Sequence, residues 1–139
     1  MKKIMILLAL GVILLAGCTG KSNYQKTFDH ESTPEYVYKQ VLGWLETHSE
    51  RDNGAQIRIL TQSEETHIIT VKFREPHSNA LLEKLWGVYT GTITIEEEEI
   101  TFEYGVISRE PKGALTVQQT EITLKSMEKV TEEMMDSIR

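Results

Sequence analysis

The side chains best suited to binding a metal ion are four histidines. They are His30, His48, His67 and His77. No two are four residues apart, the spacing that places both rings on one face of a helix, and none accompanies a CxxC-type pair of thiolates. His67 and His77 flank one predicted strand, and ten extended residues would hold them about 33 Å apart. We therefore interpret all four as surface or packing residues and expect no metal site and no cofactor.

Four consecutive glutamates, Glu96 to Glu99, offer the hard oxygen ligands that calcium prefers. A calcium loop also needs acidic or amide side chains at alternating positions and a glycine for its sharp turn. Because consecutive side chains point in different directions, we interpret the run as a solvated hairpin tip whose charge discourages aggregation of strand edges.

No spacing of nucleophile, base and acid assigns a catalytic role to any residue. The chain has no GxSxG nucleophile elbow, no phosphate-binding loop and no dinucleotide fingerprint. Acid pairs such as Glu64-Glu65 lie in predicted turns, where they are solvated. We therefore expect no catalytic residues and no enzymatic activity. Trp44 and Trp86 are expected to pack in the core, and a sugar-stacking platform is the alternative.

The N-terminal segment has the pattern of a secretory signal peptide. Lys2-Lys3 precede an uncharged, mostly apolar run over residues 4–16, and Cys18 is the only cysteine in the chain. The alternative, an uncleaved transmembrane anchor, needs about 20 apolar residues, and this run is shorter and contains Gly11. The sequence therefore predicts export.

The tetrad Leu15-Ala16-Gly17-Cys18 resembles the lipobox of bacterial lipoproteins. The resemblance implies diacylglyceryl transfer to the Cys18 thiol, cleavage before Cys18 and acylation of the new amino group. Two or three acyl chains make attachment stable, whereas one gives marginal binding. Thr19 stands where enteric bacteria use aspartate for inner-membrane retention. The resemblance thus implies the periplasmic side of the outer membrane in a Gram-negative cell, and otherwise the outer face of the cell membrane.

Composition limits both the number of domains and the classes of partner. Removal of the signal peptide, residues 1–17, leaves enough chain for one domain with one core. The 15 basic and 21 acidic side chains give a net charge of −6, and loss of two lysines with the signal peptide makes the mature chain more acidic still. This balance argues against nucleic acid and against adhesion to an anionic bilayer. We predict a lipidated N-terminus and tether over residues 18–27 and one domain over residues 28–139.

Apolar periodicity predicts two amphipathic helices. The first spans about residues 33–49, with Ser32 as N-cap and Glu35 three residues later in a capping box. The second spans about residues 122–138. Its apolar stripe consists of Leu124, Met127, Val130, Thr131, Met134 and Ile138. Residues 114–119 alternate as a strand does and could form an edge strand before this helix.

Alternation with a period of two predicts two hairpins and a weaker strand near residues 24–28. The predicted apolar pairs are Ile59 with Ile69, Ile57 with Val71, Ile93 with Phe102 and Ile95 with Ile100. The second register is expected to continue to Tyr104 and Val106. Residues 75–78, which include Pro76, are expected to break the sheet. The short helix predicted after the break carries Leu81, Leu82 and Leu85.

Sequentially paired strands with a helix at either end predict an α+β two-layer sandwich: an antiparallel sheet of four to six strands with two helices on one face. This arrangement resembles small uncharacterised lipoprotein domains with a TATA-box-binding-protein-like fold. Because the resemblance rests on element order, it assigns no functional residue.

The sheet face away from the helices is the candidate partner-binding surface. Strand alternation gathers basic side chains there, beside an apolar pair on the same face. The candidate residues are Arg58, Leu60, Ile68, Lys72 and Arg74. A solvated face rich in good β-formers is the other interpretation. We therefore hypothesise a membrane-anchored, non-enzymatic lipoprotein that binds an envelope protein, with a small-ligand or cell-wall-glycan binder as the alternative.

Overall fold

The computed structural model describes residues 24–78 and 81–138. Within them the chain forms six strands and two helices. The elements are β1 (Tyr24–Asp29), α1 (Pro34–Thr47), β2 (Gln56–Ser63), β3 (Ile68–Ser78), β4 (Lys84–Ile95), β5 (Glu99–Tyr104), β6 (Ser108–Glu110) and α2 (Val117–Ile138). The antiparallel sheet has the order β1-β5-β4-β3-β2, and the short β6 pairs with the start of β4.

Both helices cover one face of this sheet and enclose the core between two layers. The fully buried side chains include Val37, Val41, Leu45, Ile69, Ile93, Phe102, Met127 and Met134. Each such side chain contributes about 1.5–3 kcal/mol when it is removed from water. The predicted α+β two-layer sandwich is confirmed.

Two glycines on β4 allow neighbouring side chains to lie directly on the sheet. A Cβ atom at Gly91 would collide with the ring of Tyr104, and one at Gly87 would collide with the hydroxyl of Thr123 on α2. Only glycine leaves room for these two approaches. The buried Tyr104 hydroxyl also lies 2.7 Å from Oγ1 of Thr131, which joins β5 to α2.

The first helix begins one residue later than predicted. Thr33, and not Ser32, is the N-cap: its hydroxyl oxygen accepts a hydrogen bond from the backbone N–H of Tyr36 at 3.3 Å. The apolar side of this helix is buried as the periodicity predicts.

The second helix begins earlier than predicted, at Val117. Thr116 and Gln119 form a capping box, in which the backbone N–H of each donates to the side chain of the other at 3.0 Å. Because the helix begins directly after this cap, residues 117–119 are helical. The edge strand considered for residues 114–119 therefore does not form. Leu124 is 39% exposed, and the buried set is Thr123, Met127, Val130, Thr131, Met134 and Met135.

The first hairpin consists of the predicted strands in a different register. The observed pairs are Ile59 with Val71 and Ile57 with Phe73, in place of Ile59 with Ile69 and Ile57 with Val71. A shift of two residues keeps every side chain on its original face. The same apolar residues therefore reach the core.

A β-bulge in β2 separates the two apolar residues that were predicted to pair. It lies between Ile59 and Thr61, which makes Leu60 the extra residue. Ile68 lies opposite Ser63 across the hairpin. The predicted pair of Leu60 and Ile68 therefore does not form.

The strand β3 continues through Pro76, where the sequence predicts a break. Because β2 begins at Gln56, opposite Arg74, β3 has only one neighbour at Pro76. A proline is tolerated beside such an open edge, where no second ladder needs its missing N–H.

The structure corrects the predictions for four apolar residues, which are Leu81, Leu82, Leu85 and Val106. Leu81 and Leu82 lie in the connection before β4, not on a helix, and are 78% and 86% exposed. Leu85 is buried in β4, because the ladder between β3 and β4 includes the pair of Ser78 with Lys84 and so makes Leu85 a strand residue. Val106 lies beyond the end of β5 and is exposed. The pairing of β4 with β5 therefore ends at Tyr104 and does not continue to Val106.

The second hairpin has the predicted register, but its tip is only partly solvated. The pairs are Ile93 with Phe102 and Ile95 with Ile100. Glu96, Glu97 and Glu98 are exposed, whereas Glu99 is 6% exposed and lies opposite Asp29 of β1. Burial, reinforced by the nearby carboxylate of Asp29, raises the pKa of Glu99.

The first strand lies partly inside the predicted tether, residues 18–27. Tyr24 stacks on Tyr104 with 5.6 Å between ring centroids, and Lys26 forms an ion pair with Glu132 on α2. The strand predicted near residues 24–28 is confirmed. Because of these contacts the folded domain includes Tyr24 and does not start at residue 28.

Candidate functional site

Strand alternation brings four basic side chains together on the outer face of the sheet, the face away from the helices. They are Arg58, Lys72, Arg74 and Lys84, which we call the basic patch. Arg58 lies directly opposite Lys72. Arg58 and Lys84 are exposed, and the side chains of Lys72 and Arg74 are 32% and 31% exposed. Sequence reasoning placed three of the four on this face and missed Lys84.

Glu110 on β6 is an acidic residue of this site that sequence reasoning also missed. Its carboxylate accepts a hydrogen bond from Nζ of Lys72 at 2.8 Å and lies 3.2 Å from Nη2 of Arg74. The hydrogen bond from Lys72 is the main cause that holds the pKa of Glu110 below its usual value. A strand of three residues has no readable periodicity, so only the fold reveals this neighbour.

Trp86 lies beside the basic patch, and not in the helix-covered core where we expected it. It is half-buried on β4, opposite Pro76 and Glu110. The guanidinium carbon of Arg74 is 4.3 Å from its ring centroid, and Nζ of Lys84 is 4.6 Å away. Each cation–π contact contributes about 0.5–1 kcal/mol at an exposed site. The ring and the two cations therefore form one ordered group.

Trp44 lies in the core, as expected. It is 6% exposed and stacks on His48, with 4.2 Å between ring centroids. A sugar ring could stack on Trp44 only after this contact had opened, so the structure offers no ready glycan platform there.

The two apolar candidates do not form a centre for this surface. Leu60 is 46% exposed on the bulge, and Ile68 is half-buried opposite Thr94 of β4. The large apolar side chain nearest the cations is instead Trp86, held by Arg74 and Lys84.

The other half of the outer face is acidic. Asp29 of β1 lies opposite Glu99 of β5, and Glu103 lies four residues farther along β5 on the same face. A band of threonines separates the two halves; it consists of Thr70, Thr92, Thr94 and Thr101. The outer face is therefore divided by charge, with the basic patch at one side.

Other predicted chemical residues do not converge. Across residues 24–78 and 81–138, no three His, Cys, Asp or Glu side chains are grouped so that they could hold a metal ion. Cys18 and the signal residues Leu15, Ala16 and Gly17 lie outside the described residues. In the described part of the chain, neither helix is long and apolar enough to cross a membrane.

Comparisons with known proteins identify the fold. No family model and no curated protein matches the chain. A TBP-like protein from Parabacteroides distasonis superposes with a TM-score of 0.65 at 14% identity, over 86% of this chain and 93% of that chain. A DUF4468 family protein from Bacteroides ovatus gives 0.52 at 18% identity, over 84% and 81%.

Ara h 8.0201 also gives a TM-score of 0.52, at 9% identity over 85% of this chain and 95% of that chain. At these identities the three likenesses establish the fold alone. The TBP-like and DUF4468 structures agree with the TATA-box-binding-protein-like arrangement expected from element order. They assign no activity and no binding residue.

Proposed function

We propose that this protein is a non-enzymatic envelope lipoprotein, held on a membrane by lipid at Cys18, whose domain binds an acidic surface of an envelope protein through the basic patch. The lipobox resemblance supports the anchor. The charge-divided outer face supports the binding role. The fold, which is shared with TBP-like and DUF4468 proteins, is compatible with such an accessory module.

The observation that carries the binding proposal is the group of Trp86 with Arg74 and Lys84. Tryptophan and arginine are the residues most enriched among the side chains that dominate binding energy at protein interfaces. Here they are already ordered by their contacts at 4.3 and 4.6 Å, so binding costs less side-chain entropy. Arg58 adds an exposed cation that can attract an acidic partner.

The proposed anchor would also keep this surface close to the membrane. Tyr24, in the first strand, follows Cys18 by six residues. Six extended residues span at most about 20 Å. A partner in or beside the membrane is therefore within reach of the anchored domain.

Photocrosslinking in intact cells tests the partner surface. A photoreactive residue at position 90, exposed and opposite Lys72 on the outer face, should capture one discrete envelope protein. Mass spectrometry of the crosslinked peptide should place acidic residues at the attachment point. Arg58→Glu should weaken the capture strongly.

The matched control reverses one charge on the other side of the domain. Lys39 is exposed on α1, and Lys39→Glu should leave the capture unchanged. Equal weakening by both variants would show a nonspecific charge effect. Absence of any specific product from position 90, together with capture from a probe on α1, would reject the outer face as the binding surface.

Metabolic labelling tests the anchor separately. A palmitate analogue should label the wild-type protein and should not label Cys18→Ser. Labelling of both proteins to the same extent would contradict the proposed lipidation, whatever the crosslinking result.

A further inference from the structure

A cleft of about 500 Å³ opens between the loop that follows α1 and the middle of α2. It shares no residue with the basic patch, so an inference about it is independent of the proposed partner surface. Its volume is in the range of small-molecule sites. Its polar lining includes Arg51, Asn53, Glu75, Lys125, Ser126 and Lys129.

Glu75 is the most unusual residue of this cleft, because its carboxylate is buried with neutral partners. It is 7% exposed. Oε1 accepts a hydrogen bond from Nδ2 of Asn53 at 3.0 Å, and Oε2 accepts one from Oγ of Ser126 at 2.8 Å. No Lys, Arg or His nitrogen of the described residues lies within 4.0 Å of it. Buried carboxylates are normally in direct contact with a cation, whereas Arg51, Lys125 and Lys129 line the same cleft without forming an ion pair with Glu75.

Arg51, the basic residue of the loop beside the cleft, is paired with a carboxylate other than Glu75. Arg51 forms an ion pair with Glu133 on α2. Together with the bonds from Asn53 and Ser126 to Glu75, this pair joins the loop to the helix and the helix to the sheet. The cleft is therefore formed before any ligand arrives, which lowers the cost of binding.

We propose that this cleft binds a small zwitterion that carries a primary ammonium group, a free amino acid or a dipeptide. The ammonium group would dock on Glu75. Each carboxylate oxygen accepts one hydrogen bond from the protein and keeps a second lone pair, and an ammonium group offers three N–H donors. Such charge-assisted bonds are strongest where water is excluded.

Two lysines of the cleft suit the carboxylate of such a ligand. Lys125 and Lys129 are exposed on α2 and line the cleft. Because they are four residues apart, they lie on one face of the helix. Lys129 contacts Glu133 only at 4.0 Å, and Glu133 is also the partner of Arg51. The cleft thus offers a buried carboxylate to the ammonium group of a zwitterion and two exposed lysines to its carboxylate. Its lining also carries the carboxylates of Glu50, Asp52 and Glu133.

Calorimetry on the purified full-length protein in detergent tests the proposal with named probes. The probes are glycine, L-alanine and L-alanyl-L-alanine, each compared with its N-acetylated form. Acetylation removes the ammonium charge and leaves the carboxylate. We expect at least one free probe to bind and its acetylated form to bind at least tenfold more weakly.

Two variants locate the site. Glu75→Gln, which keeps the shape of the side chain, should weaken binding of the best probe at least tenfold. Glu121→Gln removes the same charge from an exposed position on α2 outside the cleft lining and should change binding less than twofold.

The thermal midpoint of each variant reports whether it folds. If Glu75→Gln does not fold, the comparison of free and acetylated probes on the wild type still decides. Equal binding of both forms, no binding by any probe at millimolar concentration, or equal weakening by the two variants would overturn the proposal.

Discussion

The hydrogen bond between Tyr104 and Thr131 provides a quantitative test of the packing between the sheet and α2. Both residues are fully buried, and their oxygens are 2.7 Å apart. Thr131 donates its only hydroxyl proton to the carbonyl oxygen of Met127 at 2.9 Å. The Tyr104 hydroxyl must therefore be the donor to Thr131. Burial raises the pKa of Tyr104, so it remains a neutral donor at ordinary pH.

The two single substitutions should differ in cost because only one leaves a buried group without a partner. Tyr104→Phe removes the donor and leaves Thr131 bonded to Met127, so it should cost about 0.5–1.5 kcal/mol. Thr131→Val removes the acceptor and leaves a buried hydroxyl unsatisfied, so it should cost about 1–3 kcal/mol. The double variant leaves no orphaned group and should cost less than the sum of the two.

Urea unfolding, followed by tryptophan fluorescence, measures all four corners of this double-mutant cycle. The coupling free energy should be about 1 kcal/mol, within the range expected for directly contacting residues. Additive costs, or a Thr131→Val variant more stable than Tyr104→Phe, would refute the assigned donor direction and the contact itself.

Three further measurements test the core, the sheet and its pH dependence. Gly91→Ala should cost about 1–3 kcal/mol in urea unfolding because its methyl group collides with a buried ring. Gly43→Ala, exposed on α1 with open space around it, should instead stabilise by up to about 1 kcal/mol, and destabilisation there would contradict the helix assignment. Phe102→Ala should cost about 3–5 kcal/mol and Glu97→Ala less than about 0.5 kcal/mol; similar costs would mean that the hairpin is misplaced. The raised pKa of Glu99 means that its contribution favours folding below its unfolded value of 4.5 and is lost as pH rises through the folded value. Glu99→Gln should therefore raise the thermal midpoint at pH 7 but not at pH 4, and an equal gain at both pH values would argue against a buried carboxylate.

Periodicity predicts which residues are buried better than it predicts their partners. The second hairpin was assigned correctly, because its short tip leaves little freedom in the pairing of Ile93 with Phe102. In the first hairpin, Ile59 could pair with Ile69 or Val71 without moving any side chain to another face. Only the bulge at Leu60 and the packed core fix the observed choice.

Features that depend on distant elements could not be read from local sequence. Pro76 predicts a break by its own chemistry, and it is tolerated because β2, which begins opposite Arg74, does not extend alongside it. Glu110 joins the basic patch through a strand of three residues. Glu75 becomes a buried carboxylate only after the loop and α2 close over it. The environment of each of these residues can be assigned only from the tertiary fold. Local sequence patterns predict only which apolar residues are buried and which residues lie in turns.

The position of β1 determines when the domain can fold during synthesis. Tyr24 and Phe28 pair with Tyr104 and Ile100, which belong to the fifth strand. Synthesis proceeds at about 5–20 residues per second, so the first strand waits several seconds for β5, the strand with which it pairs. The second helix, which packs against α1, is synthesised later still. Chains that stop before β5 should therefore be substrates for chaperones and proteases, and folding should follow the completion of nearly the whole chain.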